Sequence, residues 1–156
     1  MLKLLEAIRG GRFLDLGGMR RRDALRVLAG ALEACCGDVA LAGQLVFHET
    51  ECETGVGHGL AIPHVRCAGF GEISCVAGWA RMGLDFTAPD GDPVRLVAAY
   101  CVPDSAKNEY LREISGLVRM VFKSPRADPL RQLADQPSSE AARDYLLGWL
   151  GAVPGV

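Results

Sequence analysis

No apolar run in this chain approaches the ~20 residues needed to cross a bilayer. Its start, Met1-Leu-Lys-Leu-Leu-Glu6, is broken by Glu6 and Arg9 and lacks the profile of a secretory signal. The expectation is a cytoplasmic protein without membrane insertion. Charge of one sign is also scarce: 17 Lys and Arg stand against 19 Asp and Glu, a net charge of −2. Such a balance offers no bulk attraction to nucleic-acid phosphate, so no nucleic-acid partner is expected. No Cys-x-x-Cys pair occurs among Cys35, Cys36, Cys52, Cys67, Cys75 and Cys101. In a reducing compartment these read as buried thiols acting as small hydrophobes, not as a disulfide framework. No Gly-Lys-Ser/Thr closes a P-loop, and no glycine fingerprint follows a strand, which leaves no nucleotide-binding signature.

What is present is enough for a core. Hydrophobic residues make up 49% of the 156 and charged ones 23%, a composition that excludes intrinsic disorder and suits one domain over 1–156. Positive charge gathers at the start, where Lys3, Arg9, Arg12, Arg20, Arg21, Arg22 and Arg26 face only Glu6, Asp15 and Asp23. A run of this kind reads first as a solvated face and second as a docking patch for an acidic partner.

The order of elements is helices, then strands, then helices. Phe13-Leu-Asp-Leu16 is strand-like and ends at Gly17-Gly18. A helix is predicted from about Arg22, with Leu25, Leu28 and Leu32 on one face and Gly37 as its stop. A second runs from Asp38, as N-cap, to about His48, with Leu41 and Leu45 inward. Leu60-Ala-Ile62, Ile73–Trp79 and Val94–Val102 read as strands, the last almost wholly apolar and therefore central, with a turn over 88–93 between the latter two. Pro63-His64 closes the first of these strands. Helices follow after Asp104 or Ser105 to before Pro125, around 127–135, and from Ser138 to Leu150. The fold class is α/β, a mixed and mostly buried sheet flanked by helices.

One segment carries chemistry: Glu53-Thr-Gly-Val-Gly-His-Gly-Leu-Ala-Ile-Pro-His64. Gly55, Gly57 and Gly59 allow close backbone approach to a ligand and a run of N–H groups that can cradle an anion. His64 is presented by a short apolar strand and a rigid proline. The string resembles the active-site signature of enzyme IIA domains, type 2, of the phosphoenolpyruvate-dependent phosphotransferase system, the fructose, mannitol and nitrogen-regulatory family. It matches at Thr54, Gly55, Gly57, Gly59, Ala61, Ile62, Pro63 and His64.

The resemblance implies an enzyme IIA type-2 fold and a histidine, His64, that accepts a phosphoryl group from a small phosphocarrier protein of the HPr kind. It further implies regulatory protein targets, no cofactor and no metal. Thr54, Gly55, Gly57 and Gly59 become the candidates for holding the phosphoryl oxygens. The other ring nitrogen of His64 is expected to donate to a carbonyl or carboxylate, which fixes the tautomer, and the docking surface around the cleft to be apolar. Two positions depart from the family: His48 stands where Arg is usual, beside Glu49, and Tyr110 stands at the place of a second histidine. Both hold supporting positions, and Arg66 and Arg112 are candidates to supply the missing cation. The departures point to the nitrogen-regulatory branch, with a non-phosphorylated protein-binding module as the alternative. A third reading is a zinc site drawn from His48, Cys52, His58, His64 and Cys67, although their spacing fits no standard motif.

Overall fold

The computed structural model describes residues 2–37, 40–68, 71–123 and 128–152. Its centre is a six-stranded mixed sheet ordered β1 (Phe13–Asp15), β5 (Ser74–Leu84), β6 (Val94–Pro103), β3 (Leu60–Ala61) and β2 (Gly55–Gly57). A sixth strand, β4 (His64–Cys67), also pairs with β6. Strands β3 and β4 lie one after the other along the same side of β6, both parallel to it, while β5 runs antiparallel on its other side.

Alternation along β6 divides the core in two. Leu96, Ala98, Tyr100 and Val102 face one cluster, together with α1 (Lys3–Arg9), α4 (Lys107–Phe122) and α5 (Ser139–Gly151). Val97, Ala99 and Cys101 face the other, built on α2 (Arg21–Cys36) and α3 (Leu41–Glu51). With both faces covered, β6 is apolar throughout, as its sequence suggested.

Local signals hold where they were strong. Leu25, Leu28, Leu32, Leu41 and Leu45 are buried, and Gly37 ends α2 at φ 72° with its N–H on Glu33 O. Ser138 caps α5 by accepting from Ala141 N at 3.2 Å. The expected cap Asp38 and the expected stop Pro125 lie outside the described residues. The second C-terminal segment, expected as a helix around 127–135, is a 3-10 turn over Arg131–Asp135.

Three features differ from the sequence reading. Helix α1 has only seven residues, too few to show a period, yet it buries Leu4, Leu5, Ala7 and Ile8. Its first turn is held from afar, because the Glu113 carboxylate accepts from Leu4 N at 3.1 Å. Second, Pro63 interrupts the strand without ending it. Pro63 O accepts from Tyr100 N at 3.0 Å, so the ladder survives a residue without an N–H and resumes at His64. Third, Cys67 and Cys101 are joined as a disulfide, which corrects the expectation of six free thiols. Parallel pairing sets Val65 opposite Cys101 and brings the Cys67 and Cys101 Cα atoms to 6.1 Å, within disulfide reach. Cys35, Cys36, Cys52 and Cys75 are free, and of these only Cys75 is buried.

Candidate functional site

His64 is the first residue of β4, directly opposite Tyr100 of β6. The register turns its ring to the Tyr100 face, where α4 passes. Its centroid lies 4.5 Å from that of His48 on α3 and 5.2 Å from that of Tyr110 on α4. Tyr110 in turn meets Tyr100 edge-on at 5.4 Å, and the buried Tyr100 hydroxyl donates to Glu113 at 3.0 Å. Thus three elements far apart in sequence converge on one partly buried imidazole.

The ring's own geometry selects its chemistry. Nδ1 lies 3.3 Å from Ile62 O, two residues back along the interrupted strand. As donor to that carbonyl, Nδ1 keeps the proton and Nε2 keeps a free electron pair. Burial is the main influence lowering the proton affinity of His64 below its ordinary value. The Ile62 contact opposes this, and the charges of His48 and Arg66 add to it. Near neutral pH the ring is therefore an uncharged nucleophile.

A stability signature follows. A histidine with a lowered folded pKa binds its proton more tightly in the unfolded chain, so acid favours unfolding. The contribution is complete above the unfolded value of 6.5 and is lost as pH falls through the lower folded value. Urea midpoints measured at stepped pH should fall more steeply below pH 6.5 in the native chain than in His64→Gln. Parallel slopes would refute this account.

Beside the ring is a cavity of about 300 Å³ lined by Gln44, Phe47, His48, His64, Val65 and Arg66. Phe47 is 67% exposed and puts an apolar ring on its rim. Arg66 lies two residues along β4 from His64, and its Nη1 donates to Asp104 at 2.8 Å. Arg112 lines a different groove, with Leu111, Ser115, Gly116 and Arg119.

His48, His64 and Tyr110 are thereby brought together. The glycine-rich segment is placed differently: it forms the β2–β3 hairpin, and none of Gly55, Gly57 and Gly59 lines the His64 cavity. Their missing side chains make room for the protein itself. A Cβ on Gly55 would stand 2.5 Å from Thr87 O, one on Gly57 would meet the Asp90 carboxylate, and one on Gly59 would touch Leu130. The His58 N–H donates to Asp90 Oδ2 at 2.7 Å, so this amide is already engaged by a carboxylate. Gly55→Ala should cost about 1–3 kcal/mol, since the obstacle is backbone and cannot rotate away. An unchanged urea midpoint for that variant would contradict the packing.

Thr54 is engaged as well. Its hydroxyl and its N–H both donate to the buried Glu49 carboxylate, the latter at 3.3 Å. Burial raises the pKa of Glu49, and the Thr54 bonds oppose the shift. Glu49 therefore ties the end of α3, and so His48, to the start of the hairpin. Glu49 was visible in sequence as the neighbour of His48, but its bonding to Thr54 was not.

The donors of the zinc reading do not converge. Cys67 is bonded to Cys101, and His58 turns to Asp128 at 3.4 Å and to the Phe122 ring at 4.5 Å. Among the described residues, no group of three or more His, Cys, Asp or Glu is placed to hold a metal ion. Among them, too, no helix is long and apolar enough to cross a membrane.

Comparison with known proteins places the chain among others of the same family and fold. The chain is 35% identical over 97 residues to a nitrogen regulatory protein of Pseudomonas aeruginosa, covering 62% of the chain and 61% of that protein. It is 30% identical over 98 residues to the fructose-specific EIIABC component of Bacillus subtilis, covering 63% of the chain and 15% of that protein. The chain thus spans less than two thirds of the length of these relatives. Among solved structures, the nitrogen regulatory protein IIA-Ntr of Neisseria meningitidis superposes with a TM-score of 0.67 at 29% identity. That match covers 86% of this chain and 91% of the other. Residues 13–148 match the family described as phosphoenolpyruvate-dependent sugar phosphotransferase system, EIIA 2, and the chain belongs to that family.

Proposed function

We propose that this chain accepts a phosphoryl group on Nε2 of His64 from the phosphohistidine of a small phosphocarrier protein. Its phosphorylated and free forms then differ in affinity for regulatory protein targets in the cytoplasm. The observation that carries the reading is the Nδ1 contact with Ile62 O, which leaves Nε2 unprotonated beside an open cavity. In the transfer, the phosphorus–nitrogen bond of the donor breaks and its electron pair stays on the donor nitrogen. The Nε2 pair forms the new bond while Nδ1 keeps its proton on the carbonyl. Little other covalent work falls to the protein, because phosphoryl transfer depends on positioning and on stabilising charged oxygens.

In this reading His48 and Tyr110 support the ring. The hairpin of Thr54, Gly55, Gly57 and Gly59 serves the phosphoryl group by fixing the His64 segment, since Ile62 N donates to Thr54 O at 3.0 Å. Exposed Phe47 offers the phosphocarrier an apolar contact. The nitrogen-regulatory branch is favoured by two similarities, to proteins of Pseudomonas aeruginosa and Neisseria meningitidis. It is favoured also by His48 and Tyr110, whose weaker hold on phosphate suits a reporter of phosphorylation state better than a carrier of high flux.

Incubation with phosphoenolpyruvate, the general phosphotransferase enzyme and the phosphocarrier, followed by mass measurement in alkali, tests the proposal. An acid-labile phosphoryl adduct on the native chain is expected. A chain that stays unmodified while the phosphocarrier is labelled would instead be a protein-binding module.

A further inference from the structure

We propose that Arg66 is a phosphoryl-binding residue held in reserve on Asp104, and that it exchanges that carboxylate for the phosphoryl group once His64 is phosphorylated. The inference rests on the phosphoryl-acceptor reading of His64.

Three observations lead to it. Strand alternation puts His64 and Arg66 on one face of β4, opposite Tyr100 and Val102, and both line the same cavity. Of the residues lining that cavity, Arg66 is the one permanent cation, because a guanidinium cannot be deprotonated in a protein. His48 Nδ1 is moreover buried without a hydrogen-bond partner, so its ring does not present that nitrogen to the solvent side.

The present partner of Arg66 is a weak competitor. Its bond to Asp104 uses Nη1, and the two side chains are 59% and 78% exposed. An ion pair so fully solvated contributes little, and it engages one of the five N–H groups of the guanidinium. A phosphoryl group on Nε2 would bring two negative charges and three acceptor oxygens into the cavity, a shape and charge that the planar fork matches with paired bonds. Asp104 begins the 3-10 turn Asp104–Ala106 that leads into α4, so the exchange would uncover a carboxylate at the head of that helix. The surface next to the site would then differ between the two forms.

Phosphoramidate tests this without any partner protein. Its phosphorus–nitrogen bond breaks as the bond to Nε2 forms, and ammonia leaves after taking a proton from water. Labelling rate and adduct half-life are read by mass in alkali for the native chain, Arg66→Met, Arg66→Lys, Asp104→Asn and His64→Ala. Arg66→Met is expected to hold the adduct about tenfold less well, or weaker still, the size of a lost charge-assisted bond. Arg66→Lys should recover part of that loss. Asp104→Asn should do the opposite and improve labelling or lifetime by about two- to fivefold, because the competitor is gone. A merely structural role for Arg66 would not give effects of opposite sign from the two partners.

A native chain that takes no label overturns the acceptor reading and this inference with it. A native chain that is labelled, with Arg66→Met equal to it and Asp104→Asn no better, overturns this inference alone.

Discussion

With His64 replaced by glutamine, the acid-labile phosphoryl adduct is expected to disappear entirely, while the fold persists. Glutamine keeps most of the volume and an N–H for Ile62 O, and the position is only partly buried, so stability should stay within about 1 kcal/mol of the native chain. Loss of the nucleophile itself admits no partial compensation. The one other imidazole within reach, His48, sits 4.5 Å away by ring centroids, but its Nδ1 has no acceptor to hold a proton in place. His48 therefore lacks the fixed tautomer that makes Nε2 of His64 available. Peptide mapping in alkali separates the two rings. An adduct retained on His48 in the His64→Gln chain would show that the carbonyl contact is not what selects the acceptor.

The second large effect is on stability. Glu113 is 7% exposed, and one carboxylate oxygen accepts from both the Tyr100 hydroxyl at 3.0 Å and Leu4 N at 3.1 Å. Replacing it by leucine would leave two donors in the core without partners, each costing about 1–3 kcal/mol. The sum, about 2–6 kcal/mol, is a large share of the ~5–15 kcal/mol that holds a domain folded. Urea unfolding of Glu113→Leu measures it. Adding Tyr100→Phe removes one of the stranded donors and should restore about 1 kcal/mol. Equal midpoints for the native chain and Glu113→Leu would mean that the carboxylate does not bind α1 to the sheet. Because Tyr100 also meets Tyr110, and Tyr110 meets His64, the same substitution should loosen the seat of the ring.

Much of this site could be read from one segment. The Ile62-Pro63-His64 order placed a constrained imidazole after a break, and its carbonyl partner was expected as a class, if not as Ile62 itself. The role of the glycines was harder to foresee. Gly55, Gly57 and Gly59 suggested a cradle for an anion, yet the groups that crowd them are Thr87, Asp90 and Leu130, which nothing in the 53–64 segment names. Glu49 was visible as a neighbour of His48, whereas its two bonds to Thr54 depend on how α3 meets the hairpin. Arg66 could be proposed as a cation but not placed. Only the β4–β6 register puts it beside the cavity and within reach of Asp104.

By itself the sequence determined the alternation that gives β6 two buried faces, the apolar stripes of α2 and α4, the stop of α2 at Gly37, the cap of α5 at Ser138, and the histidine that follows the Ile62-Pro63 break. Each of these is encoded within a few neighbouring residues, where backbone geometry and hydrophobic period act directly. Tertiary structure alone decided that α1 is pinned by a carboxylate 109 residues away, that Cys67 reaches Cys101, and that His48 and Tyr110 close on His64 from two different helices. Contacts of that kind arise only when the core clusters form together and set the strand register, so no local pattern contains them.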